Sequence, residues 1–226
     1  MKILENPEKI KSIGQEHLNL AKSEKDLAKN LRSLAKIELD RAKAREGLMK
    51  KELELAEIGE ELSAKAKELA DKKIEVKDKG IIDISSEELK RSQDFAIYNQ
   101  KLSKIRREIA KINKKITEKE QEIAKEKVKL AEEKIDVANE REKLGKAQMN
   151  YYKAATSGQP DVKVLDAEKE YTDKEKKLIS EKKDVLKKEK ALREKENELS
   201  ELKKGLSIKM TEKEKINPVG AASSAP

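Results

Sequence analysis

His17 is the sole histidine in a chain of 226 residues that has no cysteine. A zinc or redox site would need partners that the chain does not supply, so the expected role of His17 is that of an ordinary surface residue on a helix. Carboxylates are plentiful, but they alternate with lysine at helical spacing: Glu170–Lys174, Asp173–Lys177, Asp184–Lys188 and Glu189–Arg193. Such i,i+4 pairs each add about 0.2–0.5 kcal/mol to a helix and keep it soluble. No glycine-rich phosphate loop, nucleophile elbow or zinc-helix motif is present. The expectation is a protein that is not an enzyme, with no metal, no cofactor and no small-molecule substrate.

The elements that would position these side chains are legible from composition. Charged residues make up 44% of the chain, hydrophobic residues 35% and aromatic residues only 2%. A compact core leans on large rings, and this chain has one Phe, four Tyr and no Trp. Four Pro and eight Gly are too few for most disordered chains, while Ala, Leu, Glu and Lys favour helix. The formal charge of +8 permits an anionic partner without requiring one. The opening MKILENPEKIKSIG lacks the apolar run of a signal peptide, and no window approaches the ~18 apolar residues of a membrane span. A cytoplasmic protein, at most peripheral at a membrane, is expected.

A strict beat of seven runs through the chain. Ile13, Leu20, Leu27, Leu34, Arg41, Leu48, Leu55, Leu62, Leu69 and Val76 form the first series, and the position after each is mostly Ala. Phe95, Leu102, Ile109, Ile116, Ile123, Leu130, Val137, Leu144 and Tyr151 form the second; Val164, Tyr171, Leu178, Val185, Leu192, Leu199 and Leu206 form the third. A stripe held at seven residues belongs to a left-handed coiled coil. Asn6-Pro7 opens the first helix, Gly80 closes it, and Ser85 with Glu88 has capping-box spacing. Gly158 and Pro160 break the second from the third, which should fade near Gly205.

These signals predict an all-α fold: an elongated antiparallel three-helix coiled-coil rod, up-down-up, with a two-helix tip and a disordered C-terminal tail. Residues 1–209 form the single rod, with helices at 7–77, 85–155 and 160–205, and residues 210–226 the tail. The first two helices should fold back about residue 82, setting Leu20 on Leu144 and Leu27 on Val137. The next pair should fold between 157 and 158, setting Tyr151 on Val164 and Leu144 on Tyr171. Arg41, in an otherwise apolar layer, should snorkel to water. Such a rod is too thin to hold a small-ligand pocket.

Two surfaces could take a partner. Beyond Leu206 the tip would leave Leu62, Leu69, Phe95, Tyr98 and Leu102 without a third helix, a surface for self-association into a homo-oligomer. From Lys90 to Lys115 nine cations face only Asp94 and Glu108. Lys101, Lys104, Arg106, Arg107, Lys111, Lys114 and Lys115 are the candidate contacts for an anionic membrane surface or an acidic protein; Lys104, Arg107, Lys111 and Lys114 share one face. The competing expectation is a solvated face neutralised by glutamates of the first helix. Nucleic acid is a less expected partner than a membrane or a protein, since no aromatic residue interleaves with the charges from Lys101 to Lys115 and no known reader motif is present. In architecture alone, three long antiparallel helices in some 220 residues with a basic surface, the chain resembles BAR-type domains; that resemblance implies a dimer that binds and curves membranes. The expected function is a non-enzymatic structural coiled-coil protein that self-associates as a scaffold or filament subunit. The alternatives are a BAR-like membrane-binding dimer and a monomeric helical spacer or adaptor.

Overall fold

The computed structural model describes residues 6–81 and 84–216. They form three long helices: α1 Pro7–Asp78, α2 Ser86–Thr156 and α3 Asp161–Lys215. No strand occurs among the described residues. Each helix starts and stops for a local reason. Asn6 Oδ1 accepts the Glu8 amide at 3.0 Å and Pro7 takes the first helical position. Ser85 Oγ accepts the Glu88 amide at 3.1 Å. Gly80 and Gly158 sit at φ 70° and 63°, the left-handed region in which glycine ends a helix without strain.

α3 does not fade at Gly205; it runs to Lys215. One interior glycine costs a helix about 1 kcal/mol. The run LSIKMTEKEK beyond it is rich in helix formers, and Lys209 ties it back to Glu108 of α2 at 2.9 Å. Of the expected tail, residues 217–226 lie outside the described residues.

The chain divides into two compact units. One comprises the residues up to Asp40 with Glu122–Glu196; the other comprises Arg41–Gln121 with the residues from Asn197 on. Within the first unit α1 and α2 run antiparallel, as Arg32–Glu132 (2.7 Å) and Arg141–Glu24 (2.9 Å) show. Within the second, Arg107–Glu60 (3.0 Å) and Gln93–Asp71 (2.8 Å) show the same. Arg32–Glu132 and Gln93–Asp71 are both centred on residue 82, the fold-back point of the heptad phases.

The faces in contact differ from the expectation. The Leu series of α1 does not face α2. Ala21, Ala28, Ala35, Ala42 and Ala70, one position on, are 1–4% exposed, whereas the Leu residues from Leu20 to Leu69 are 39–69% exposed. The facing column of α2 is equally small: Ala96, Ser103, Ala110, Thr117, Ala124, Ala131 and Ala138 are buried, and Gly145 with them. Two short side chains face to face let the helix backbones approach closely. Ser63 and Ser103 meet Oγ to Oγ at 2.6 Å in the second unit. In the first, a Cβ on Gly145 would lie 2.8 Å from the Gly14 carbonyl oxygen and 2.9 Å from Leu18. Ile116, Ile123, Leu144 and Tyr151 of the large column of α2 are buried as well, and Tyr151 meets Tyr171 of α3. Arg41 is exposed, as expected of an arginine that reaches water.

The pairing of α2 with α3 is also displaced. Tyr151 packs edge-on against Tyr171 at 5.3 Å between ring centroids, one heptad beyond the expected Val164. A slide of seven residues presents an apolar side chain in every layer either way, so the beat alone does not choose. The rings and the ion pairs choose: Lys177 reaches Glu140 at 3.0 Å, Lys188 reaches Glu133, and Lys134 reaches Glu189 at 2.7 Å. Lys177 and Lys188 thus bind α2 rather than the acids four residues away on their own helix.

The close seam makes a stability prediction. Gly145→Ala forces a methyl group against backbone and should destabilise the protein by about 1–3 kcal/mol. Gly47→Ala, with nothing within 4 Å of its would-be Cβ, should stabilise it by about 0.5–1 kcal/mol. Urea unfolding followed by helical circular dichroism measures both.

Candidate interaction surfaces

The first surface is the bare Leu series of α1. It is bare because the contact of α1 with α2 is centred one position on, about 100° around the helix at 3.6 residues per turn. In the first unit it borders an open apolar groove of about 390 Å³, with Leu27 and Leu31 on one bank and Val185 and Leu186 of α3 on the other. Val137 and Ala28 form its floor; Glu24, Lys134, Arg141 and Lys182 edge it. A cavity of this size exceeds what the thin-rod expectation allowed, but its lining holds no histidine, cysteine or hydroxyl group that could do chemistry.

In the second unit the series continues as Leu48, Leu55, Leu62 and Leu69, all about 60–70% exposed, with Ile58 beside them at 52%. Of the tip residues named from sequence, Leu62, Leu69 and Phe95 are exposed, while Tyr98 and Leu102 are half-buried. Phe95 and Tyr98 stack with centroids 6.4 Å apart. Leu48 and Leu55, expected in core layers, join this surface, as does Ile58, which lies outside the series. The Ala column beside the Leu column was the available signal.

The second surface is the basic stretch of α2, and ion pairing divides it. Arg107 contacts Glu57 at 3.5 Å and donates to Glu60 at 3.0 Å, and Lys114 pairs with Glu118 at 3.8 Å. Lys101, Lys104, Arg106, Lys111 and Lys115 are exposed and have no ion-pair partner among the described residues. At ~100° per residue, Lys101, Lys104, Lys111 and Lys115 lie within about 80° of one another, and Arg106 lies on the far side. The free face is therefore Lys101, Lys104, Lys111 and Lys115, not the set containing Arg107 and Lys114.

His17 lies between α1 and α2, where its Nδ1 is 2.8 Å from Gln148 Oε1, so it is a packing residue rather than a free surface one. Among the described residues no group of three or more His, Cys, Asp or Glu could hold a metal ion, and no helix is long and apolar enough to cross a membrane. No family model, curated protein or solved structure matches the chain.

One buried acid sits beneath α3. Glu140 is 8% exposed in its side chain and accepts from Lys143 at 2.7 Å and Lys177 at 3.0 Å. The Lys143 hydrogen bond holds its carboxyl below the usual carboxylate range; burial opposes this and the Lys177 hydrogen bond reinforces it. A depressed folded value means that the carboxylate stabilises the fold at neutral pH and ceases to do so as pH falls through that value. Both lysines are more than half exposed, so the contribution is of order 1 kcal/mol after screening. Glu140→Gln should lower stability at pH 7 by about that amount, and the gap between mutant and parent should narrow as pH falls below the ordinary glutamate value of about 4.3 and close once it passes the lower folded value. Urea midpoints across that pH range test this.

Proposed function

We propose that this chain is a non-enzymatic structural helical subunit that self-associates as a scaffold or filament component. The observation that supports this reading is the uncovered Leu series of α1. Scattered single apolar residues on a surface are ordinary, but a contiguous stripe at fixed spacing is the mark of a surface that another helix covers. Each Leu fully buried by a partner contributes about 1.5–3 kcal/mol before the costs of association. Light scattering during size exclusion should show mass rising with concentration above the 25.7 kDa chain. The double variant Leu55→Lys, Leu62→Lys should shift it back toward monomer with unchanged helicity, because both side chains are already exposed. A strict monomer at every concentration would instead support the spacer or adaptor.

A second reading is favoured by the free cationic face of α2. Four unpaired lysines on one face suit an anionic lipid surface, each worth about 1 kcal/mol there and each screened by salt. This reading keeps the chain peripheral at a membrane. Sedimentation with phosphatidylserine vesicles should fall sharply when Lys101, Lys104, Lys111 and Lys115 are all changed to Glu. Binding that is unaffected by the change would remove this face from the function.

A further inference from the structure

We infer that the groove of the first unit binds one free long-chain carboxylate, with its head at Lys182 and its tail running toward Leu34. This goes beyond both readings above. The occupant is a small amphiphile, not a second copy or a membrane, and the test changes residues of α3 that neither of their tests touches.

The first observation is shape. The groove of about 390 Å³ adjoins a second hollow of about 260 Å³, lined by Leu34 of α1 and Leu130 of α2. Leu31 and Lys134 line both, so the two form one trough. From Glu24 to Glu38 it runs about 21 Å along α1 at ~1.5 Å per residue, the length of an extended palmitate chain. Apart from the charged groups, its lining is aliphatic, with no ring to stack on and no uncharged hydrogen-bonding side chain. Such a lining suits an unbranched hydrocarbon chain. A helix is ~10–12 Å across with its side chains and would stand mostly outside hollows of this volume.

The second observation is charge, which differs between the two ends. In the first hollow Arg141 is held by Glu24 at 2.9 Å and Lys134 by Glu189 at 2.7 Å. Lys182 lines the same hollow, is exposed and has no ion-pair partner among the described residues. That end is left with one positive charge. At the other end Glu38 and Glu196 share Lys127, at 3.1 and 3.8 Å, which leaves one negative charge. An anionic head is therefore attracted at the Lys182 end and repelled at the other.

The two banks complete the site. Leu27 of α1 and Leu186 of α3 stand on opposite sides of the groove, 60% and 56% exposed. An acyl chain laid between them takes apolar surface of both out of water. Neither helix has to move for this, because Arg141 and Lys134 of α2 already tie α1 and α3 in place. The aliphatic lining supplies the affinity, and the Lys182 ammonium supplies the direction.

The test is equilibrium binding of radiolabelled laurate to the full chain. Laurate is shorter and more soluble than palmitate, and it is kept below its micelle-forming concentration. Dodecanol, with the same tail and no charge, is measured beside it. The variants are Lys182→Glu and Leu186→Glu, both at exposed positions, with circular dichroism to show that each is folded. The expected result is one saturable laurate per chain, bound roughly tenfold more tightly than dodecanol, weakened roughly tenfold by Lys182→Glu and lost in Leu186→Glu. No saturable binding, equal binding of laurate and dodecanol, or laurate binding that Leu186→Glu leaves unchanged would each overturn the inference. Two further measurements expose other occupants. A fall in oligomer mass by light scattering in Leu186→Glu would mean that a second copy covers the trough. Loss of phosphatidylserine-vesicle binding in that variant, with no binding of free laurate by the parent, would mean a membrane acyl chain. Either result overturns the inference.

Discussion

The arrangement depends on how closely α1 and α2 approach. Their seam is built from Gly, Ala and Ser, with Gly14 and Gly145 in near backbone contact in one unit and Ser63 and Ser103 sharing a short hydrogen bond in the other. Small side chains release little energy by burial, but they allow long runs of backbone dispersion contact that a Leu in the same place would hold apart. Once α2 has committed this column to α1, its Ile, Leu and Tyr column is free for α3. The Leu column of α1 has then no internal partner. The bare stripe that supports assembly is thus a consequence of the tight seam, not a separate feature.

α3 is held differently. Leu178 is its buried residue. The remainder of its attachment is half-buried apolar contact and a ladder of lysine–glutamate pairs to α2, including Lys195–Glu122 at 2.8 Å and Lys203–Glu120 at 3.2 Å. Exposed pairs of this kind are individually worth little. Their value lies in register, because they discriminate between slides of one heptad that the apolar beat treats as equal. Glu140, beneath two lysines, is the best shielded of them.

The same division explains why one surface reads as apolar and the other as basic. Glutamates of α1 that flank the seam neutralise the cations of α2 turned toward them, as Glu57 and Glu60 do for Arg107. Other cations of the stretch have no ion-pair partner among the described residues: Lys101, Lys104, Lys111 and Lys115 on one face, and Arg106 on the far side. Helix periodicity places all seven candidates on α2, yet whether a cation is spent or free depends on what the opposite helix presents. Phe95, Leu62 and Leu69 were legible as uncovered because they lie beyond the reach of α3. Leu48 and Leu55 were not, because the beat looked the same where it was assigned to a core.

The sequence by itself determined that there are three helices, where each starts, the breaks between them and the point where α1 folds onto α2, but not where α3 ends. Those follow from local chemistry: caps at Asn6 and Ser85, left-handed glycines at Gly80 and Gly158, and a composition rich in helix formers. Only the tertiary structure decided which of two adjacent columns α1 buries and which heptad of α3 meets Tyr151. The physical reason is degeneracy. A repeat of seven is unchanged by a slide of seven, and a Leu column beside an Ala column offers two faces that could each be packed. Which face closes is settled by the backbone approach that α2 permits, a property of two helices together.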